Sequence, residues 1–81
     1  MKKFVYNNQK NISGDRIRMI RLSKRMSQAT LAVKVQTAGV IVEQDVVSRI
    51  ESGDRLVTDY EIRAFADALG VSVNDLIPPE E

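Results

Sequence analysis

The sequence predicts an all-α domain of five short helices, and three observations carry that expectation. Apolar residues recur at helical spacing in short bursts along the chain. Residues suited to capping helix N-termini stand ahead of those bursts, at Ser13, Ser27, Thr58 and Ser72. Glycines stand behind three of them, at Gly39, Gly53 and Gly70, where a chain can turn left-handed without strain. Period-two alternation, the mark of a strand, shows only weakly, from Ile41 to Val47. With 81 residues, 43% of them apolar, there is material for one small core and one domain.

Residues 1–12, MKKFVYNNQKNI, are polar around a brief Phe4-Val5-Tyr6 cluster and read as an N-terminal arm, flexible or loosely docked. The helical domain is expected over residues 13–77. Ser13 is placed to cap a first helix that runs to about Lys24 with Ile17 and Ile20 on its inner face. Ser27 caps a second helix that begins at Gln28, buries Leu31, Ala32 and Val35, and ends at Gly39. A third runs from Gln44 to Ser52, buries Val47 and Ile50, and stops at Gly53. Thr58-Asp59-Tyr60-Glu61 has the form of a capping box. The fourth helix behind it carries Ile62, Phe65, Ala66 and Leu69 at i, i+3, i+4 and i+7, and Gly70 closes it. Ser72 caps a final short helix through Leu76, which Pro78-Pro79 terminates, leaving residues 78–81 as a short acidic tail.

Composition removes whole classes of chemistry. The chain has no cysteine and no histidine, so thiol nucleophiles, Ser-His-Asp triads and Cys- or His-based zinc sites are excluded. No residue stands out as catalytic, and no metal site, cofactor or small-molecule ligand is expected. An enzyme would need a paired-carboxylate pocket, which nothing here singles out. The longest apolar run, Ala38-Gly39-Val40-Ile41-Val42, is far too short to span a bilayer, and no apolar stretch follows Lys2 and Lys3 as in a signal peptide. A cytoplasmic, nucleoid-associated, non-enzymatic protein is the expectation.

The net charge of +1 conceals a polarity. Residues 1–40 carry nine bases and one acid, for +8, whereas residues 41–81 carry three bases and ten acids, for −7. Such asymmetry suits a molecule that offers one basic face to a polyanion. It also leaves open that the two halves simply pair within the fold.

The second and third helices carry the informative constellation. Ala32 is small where two helices must cross closely, and Leu31, Val35, Val47 and Ile50 can fill the angle between them. That suits the core of a helix-turn-helix, whose second helix lies in the DNA major groove, but any small bundle of short amphipathic helices shares such spacing, which alone does not decide between them. Four blocks in order strengthen the reading: Ile17-Arg18-x-x-Arg21, Ser27-Gln28-x-x-Leu31-Ala32, Val47-Ser48-Arg49-Ile50-Glu51-Ser52-Gly53-x-Arg55, and Ala66-x-Ala68-Leu69-Gly70-Val71-Ser72-Val73-x-x-Leu76. Together, over about residues 13–77, they resemble the Cro/repressor-type helix-turn-helix family, also called the xenobiotic-response-element family.

The resemblance implies a compact, repressor-like DNA-binding domain and a role for each matched position. Arg21 and Glu51 correspond to an internal ion pair, a job suited to the bidentate Arg–carboxylate geometry. Gln28, opening the second helix, and Ser27 just before it correspond to phosphate contacts. Ser52 and Arg55, around Gly53, lie where the family approaches the DNA backbone beyond the recognition helix. Base reading falls to the outer face of the third helix: Gln44 toward adenine, Arg49 toward guanine or a phosphate, Ser48 toward either, and Asp45 toward cytosine N4 or as a helix cap. Val46 is expected to be exposed on the same face.

One departure concerns the turn. Ala32 and Val47 are fifteen positions apart, roughly five more than a turn of three or four residues allows. A lengthened turn is therefore expected, with Ile41 packed inward as its apolar residue. The implied function is a sequence-specific regulator of transcription, a repressor acting by operator occupancy, bound to double-stranded DNA as a homodimer on a palindromic site. The last helix and Leu76-Ile77 are the candidate dimer surface. The alternative is a protein-interaction module of the same fold, antitoxin-like or partner-regulated, with DNA binding secondary and the acidic half receiving the partner.

Overall fold

The computed structural model describes residues 8–79. It contains five helices and, among the described residues, no strand: α1 (Gly14–Ser23), α2 (Gln28–Thr37), α3 (Gln44–Glu51), α4 (Asp59–Leu69) and α5 (Val73–Leu76). The Lys2-Lys3 pair, the Phe4-Val5-Tyr6 cluster and the Glu80-Glu81 end of the tail lie outside the described residues.

Helix α4 supports the others because its stripe is the most complete. Ile62, Phe65, Ala66 and Leu69 are all buried, and α2, α5 and α1 pack against this helix. Ile17 from α1, Leu31 and Val35 from α2, Val47 and Ile50 from α3, and Leu76 from α5 complete a single core around Phe65. Burial of Leu76 removes it from the candidate dimer surface, whereas Ile77 remains 42% exposed.

The caps follow the sequence at Ser27 and Thr58, whereas Ser72 sits at the N-cap of α5 without accepting a side-chain capping bond. Ser27 Oγ accepts from the Thr30 N–H at 3.0 Å, and Thr58 and Glu61 form the reciprocal box across 3.3 and 3.0 Å. In α5 the Asp75 carboxylate accepts from both the N–H and the hydroxyl of Ser72. Ser13, however, does not cap α1. Its backbone is already helical (φ −97, ψ −19) and its side chain makes no capping bond. A hydroxyl caps from an extended residue, so the task passes to Asn11, whose Oδ1 accepts the Gly14 N–H at 2.7 Å.

The turn between α2 and α3 spans residues 38–43 and reverses the expectation for its apolar residue. Gly39 turns the chain at φ +105 after the C-cap, Ala38. Glu43 is extended, and burial alternates along Val40, Ile41 and Val42 ahead of it. Val42 is the residue driven inward, at 2% exposure, with Val40 half-buried, while Ile41 points to solvent at 83%. Gln36 Nε2 donates to the Val42 carbonyl at 2.7 Å and fastens this longer turn to the end of α2.

Candidate nucleic-acid interface

Helix α3 divides cleanly into two faces. Val47, Ile50 and Glu51 are buried and fix the helix against α1 and α2. Gln44, Asp45, Ser48 and Arg49 are all exposed, and their side chains form no hydrogen bond or ion pair with another described residue. They fall in two columns at i, i+4: Gln44 above Ser48 and Asp45 above Arg49. Val46 departs from expectation: it is half-buried and packs on the core instead of joining this face. Asp45 does not cap the helix either, since Glu43 is the N-cap and Asp45 lies in the first turn. Eight residues at 1.5 Å each make a rod about 12 Å long, close to the width of the B-DNA major groove.

Beside that face lies a shallow cleft where α1, α2 and α3 meet. Gln28, Ser48 and Ser52 line it, together with Asp15, Arg18 and Glu51. Two of the four phosphate candidates, Gln28 and Ser52, thus share one concavity with a base-reading candidate. Arg18, which the sequence does not separate from the other surface bases, adds a cation there. Ser27 stands apart from this cleft, with its hydroxyl turned to Thr30.

The floor of the cleft is an ion pair. Arg21 donates to Glu51 through Nε at 2.7 Å and through a terminal nitrogen at 3.0 Å, with side-chain exposures of 9% and 3%. Its remaining nitrogen donates to the Met26 carbonyl at 2.8 Å. Hydrogen bonding to Glu51 raises the guanidinium pKa above its usual value although burial opposes it. Gln28 Nε2 donates to the same Glu51 carboxylate at 3.0 Å. The network ties the end of α1, the start of α2 and the end of α3 into one unit, leaving the second amide hydrogen of Gln28 for an outside acceptor.

The comparisons with known proteins agree with this geometry. The family model described as a helix-turn-helix domain matches residues 14–76. The chain belongs to the helix-turn-helix domain family. Among solved structures, the restriction-modification controller protein C.AhdI from Aeromonas hydrophila is 31% identical over 79% of this chain and 86% of its own, with a TM-score of 0.71. The P22 c2 repressor protein, solved in complex with synthetic operator 9T, is 24% identical over 86% of this chain and 98% of its own, with the same TM-score, and shares the fold. No curated protein sequence matches. The chain accordingly has the all-α helix-turn-helix fold that these two proteins share. No described helix is long and apolar enough to cross a membrane.

Two further residues define how this helix-turn-helix domain holds α3 and the loop behind it. Arg55 is engaged inside the protein, pairing with Glu61 at 3.0 and 3.2 Å and donating to the Leu56 carbonyl at 2.9 Å. Asn11 has no local signal in the sequence, yet its Nδ2 donates to the carbonyls of Ile50 at 3.0 Å and Arg55 at 2.8 Å while its Oδ1 holds the start of α1. It therefore joins the N-terminus of α1 to the C-terminus of α3. Gly14 lies at the same junction, where any Cβ would collide with the Ile50 carbonyl oxygen. Asn11→Ala is expected to lower stability by about 2 kcal/mol, because it strands partly buried donor and acceptor groups. Urea denaturation checks this, and a change below about 0.5 kcal/mol would show that water replaces the amide.

Glu61 gives the domain an acid limit. Burial pushes its pKa up, but hydrogen bonds from Arg55 and from the Thr58 N–H prevail, so the carboxyl sits below the usual carboxylate range. A depressed folded-state value stabilises the fold fully above the unfolded value of about 4.3, and that contribution disappears as pH falls through the folded value. Thermal midpoints measured between pH 6 and pH 3 should fall at the acid end. Glu61→Gln should flatten that fall, and an identical pH profile in the variant would discount the pair.

Proposed function

We propose that this chain is a sequence-specific, double-stranded-DNA-binding regulator of transcription, a repressor that acts by occupying its operator. The observation that carries the reading is the α3 face. Gln44, Asp45, Ser48 and Arg49 stand exposed and unengaged on a helix whose opposite side is locked into the core. The likeness to a repressor solved with its operator supports the same docking. In this reading α3 enters the major groove, Gln44 and Arg49 pair with base edges, and Gln28 and Ser52 meet a phosphate at the cleft beside it. Asp45 and Ser48 refine the choice of base. Ser27 contributes by capping α2 so that its first N–H groups stay presented, and Arg55 by bracing the loop behind α3. Arg21 and Glu51 keep the three helices in register. Polymerase exclusion follows from occupancy.

A rod about 12 Å long covers roughly four base pairs, too few for a useful operator, so two copies on a palindromic site complete the reading. Val73 and Ile77 are the apolar residues left exposed at the α5 end for that contact. The site of action is then the nucleoid.

Selection of bound duplexes from a random library, followed by anisotropy titration over a range of salt, tests the proposal. A palindromic consensus bound with a steep salt slope is the expected result. Weak binding that is uniform across sequences would sink it and turn attention to a protein partner.

A further inference from the structure

The segment ahead of α1 is fastened to the far end of the recognition helix. The Lys10 N–H donates to the Gly53 carbonyl at 2.8 Å, and Asn11 holds the Ile50 and Arg55 carbonyls. Gln9 packs over Gly53 so closely that a Cβ there would meet its side chain at 2.9 Å, at a backbone φ of +85. Residues 9–11 thus form a strap across the loop that follows α3. This strap lies outside residues 14–76, the part of the chain that the family model matches.

The strap carries one cation into this loop. Arg55, the loop's own base, is committed to Glu61. Lys10 is exposed, and its ammonium forms no ion pair within 4 Å among the described residues. It borders a hollow with Asp54, Arg55 and Thr58. Its backbone is bonded to Gly53, the residue after Ser52 of the phosphate cleft and one helical turn beyond Arg49. A lysine held there by its main chain, with a side chain free to swing, is suited to a point contact with a DNA phosphate flanking the groove that α3 occupies.

We infer that Lys10 is a DNA-backbone contact, delivered to the end of the recognition helix by the strap of residues 9–11. The inference rests on the DNA-binding reading above. Lys10 would add affinity without adding sequence preference, since a phosphate carries no base identity.

Lys10→Gln and, as a control, Lys34→Gln are to be titrated against the selected duplex between about 50 and 200 mM salt. Lys34 borders a groove between α2 and α4, away from the cleft. The expected result is a plot of log affinity against log salt shallower by about 0.9 for Lys10→Gln, the value of one released counterion, with the consensus unaltered. Lys34→Gln should keep the wild-type slope, and both variants should keep the wild-type melting midpoint. A wild-type slope for Lys10→Gln on an intact consensus overturns this inference alone. A wild-type protein with no salt-sensitive DNA binding overturns the DNA-binding reading, and this inference with it.

Discussion

Arg21→Met is expected to cost the domain about 3–5 kcal/mol, the usual penalty for removing one partner of a buried ion pair. A domain of this length has a total stability of only about 4–12 kcal/mol, so the loss is at least about a quarter of what holds the fold. The reason is the environment of Glu51. Its side chain is 3% exposed and takes two of its three hydrogen bonds from Arg21. Without the guanidinium, a charged carboxylate is left in the protein with a single amide donor. The effect resides in the stranded charge more than in any large net value of the pair. Replacing both residues, as Arg21→Met with Glu51→Leu, should therefore recover most of the loss. Urea denaturation of the wild type, both single variants and the double variant measures this directly. If the double variant were no more stable than the singles, the pair would owe its importance to geometry that apolar side chains cannot reproduce.

Gln44→Ala and Arg49→Ala together should lower affinity for the selected operator by about two orders of magnitude or more, since each bidentate base contact discriminates by about 1–3 kcal/mol. Folding should be untouched, because both side chains are exposed and engage no described neighbour. Competition titrations against the consensus and against duplexes altered one base pair at a time separate two kinds of contact. Loss of preference at individual positions identifies base reading. A uniform loss across all sequences would assign these residues to phosphates and move base reading elsewhere. Asp45→Asn adds a finer test, since it removes a carboxylate that stands at i, i+4 to Arg49 and repels the DNA backbone. Its affinity should rise on unrelated duplexes more than on the operator.

These two results bear on different parts of what the sequence discloses. Caps and stripes are local, and so Ser27, the Thr58–Glu61 box and the run from Ile62 to Leu69 could be placed from spacing alone. The Arg21–Glu51 pair spans 30 positions, so local spacing does not disclose it, whereas the family resemblance implies it. Asn11 could not be found in either way, because its partners lie 39 and 44 positions away and the strap precedes the part of the chain that the family shares. An inward Ile41 has no period behind it, because a turn between two helices offers none to read. In the structure burial alternates there, with Val40 and Val42 on the inner side. Ser13 failed as a cap for a similar reason, since capping depends on a backbone angle that residue type does not report.

The strap has a practical consequence for anyone handling this protein. The main chain of Lys10 and the side chain of Asn11 hold residues 9–11 beside the end of α3. A purification tag, fluorophore or fusion partner joined close ahead of Gln9 is therefore brought beside the end of α3, where it would compete with nucleic acid for space and add its own charge to a salt titration. Labels belong on the far side of the molecule, for instance at an introduced cysteine on the exposed face of α2 at Val33, where the native chain offers no competing thiol.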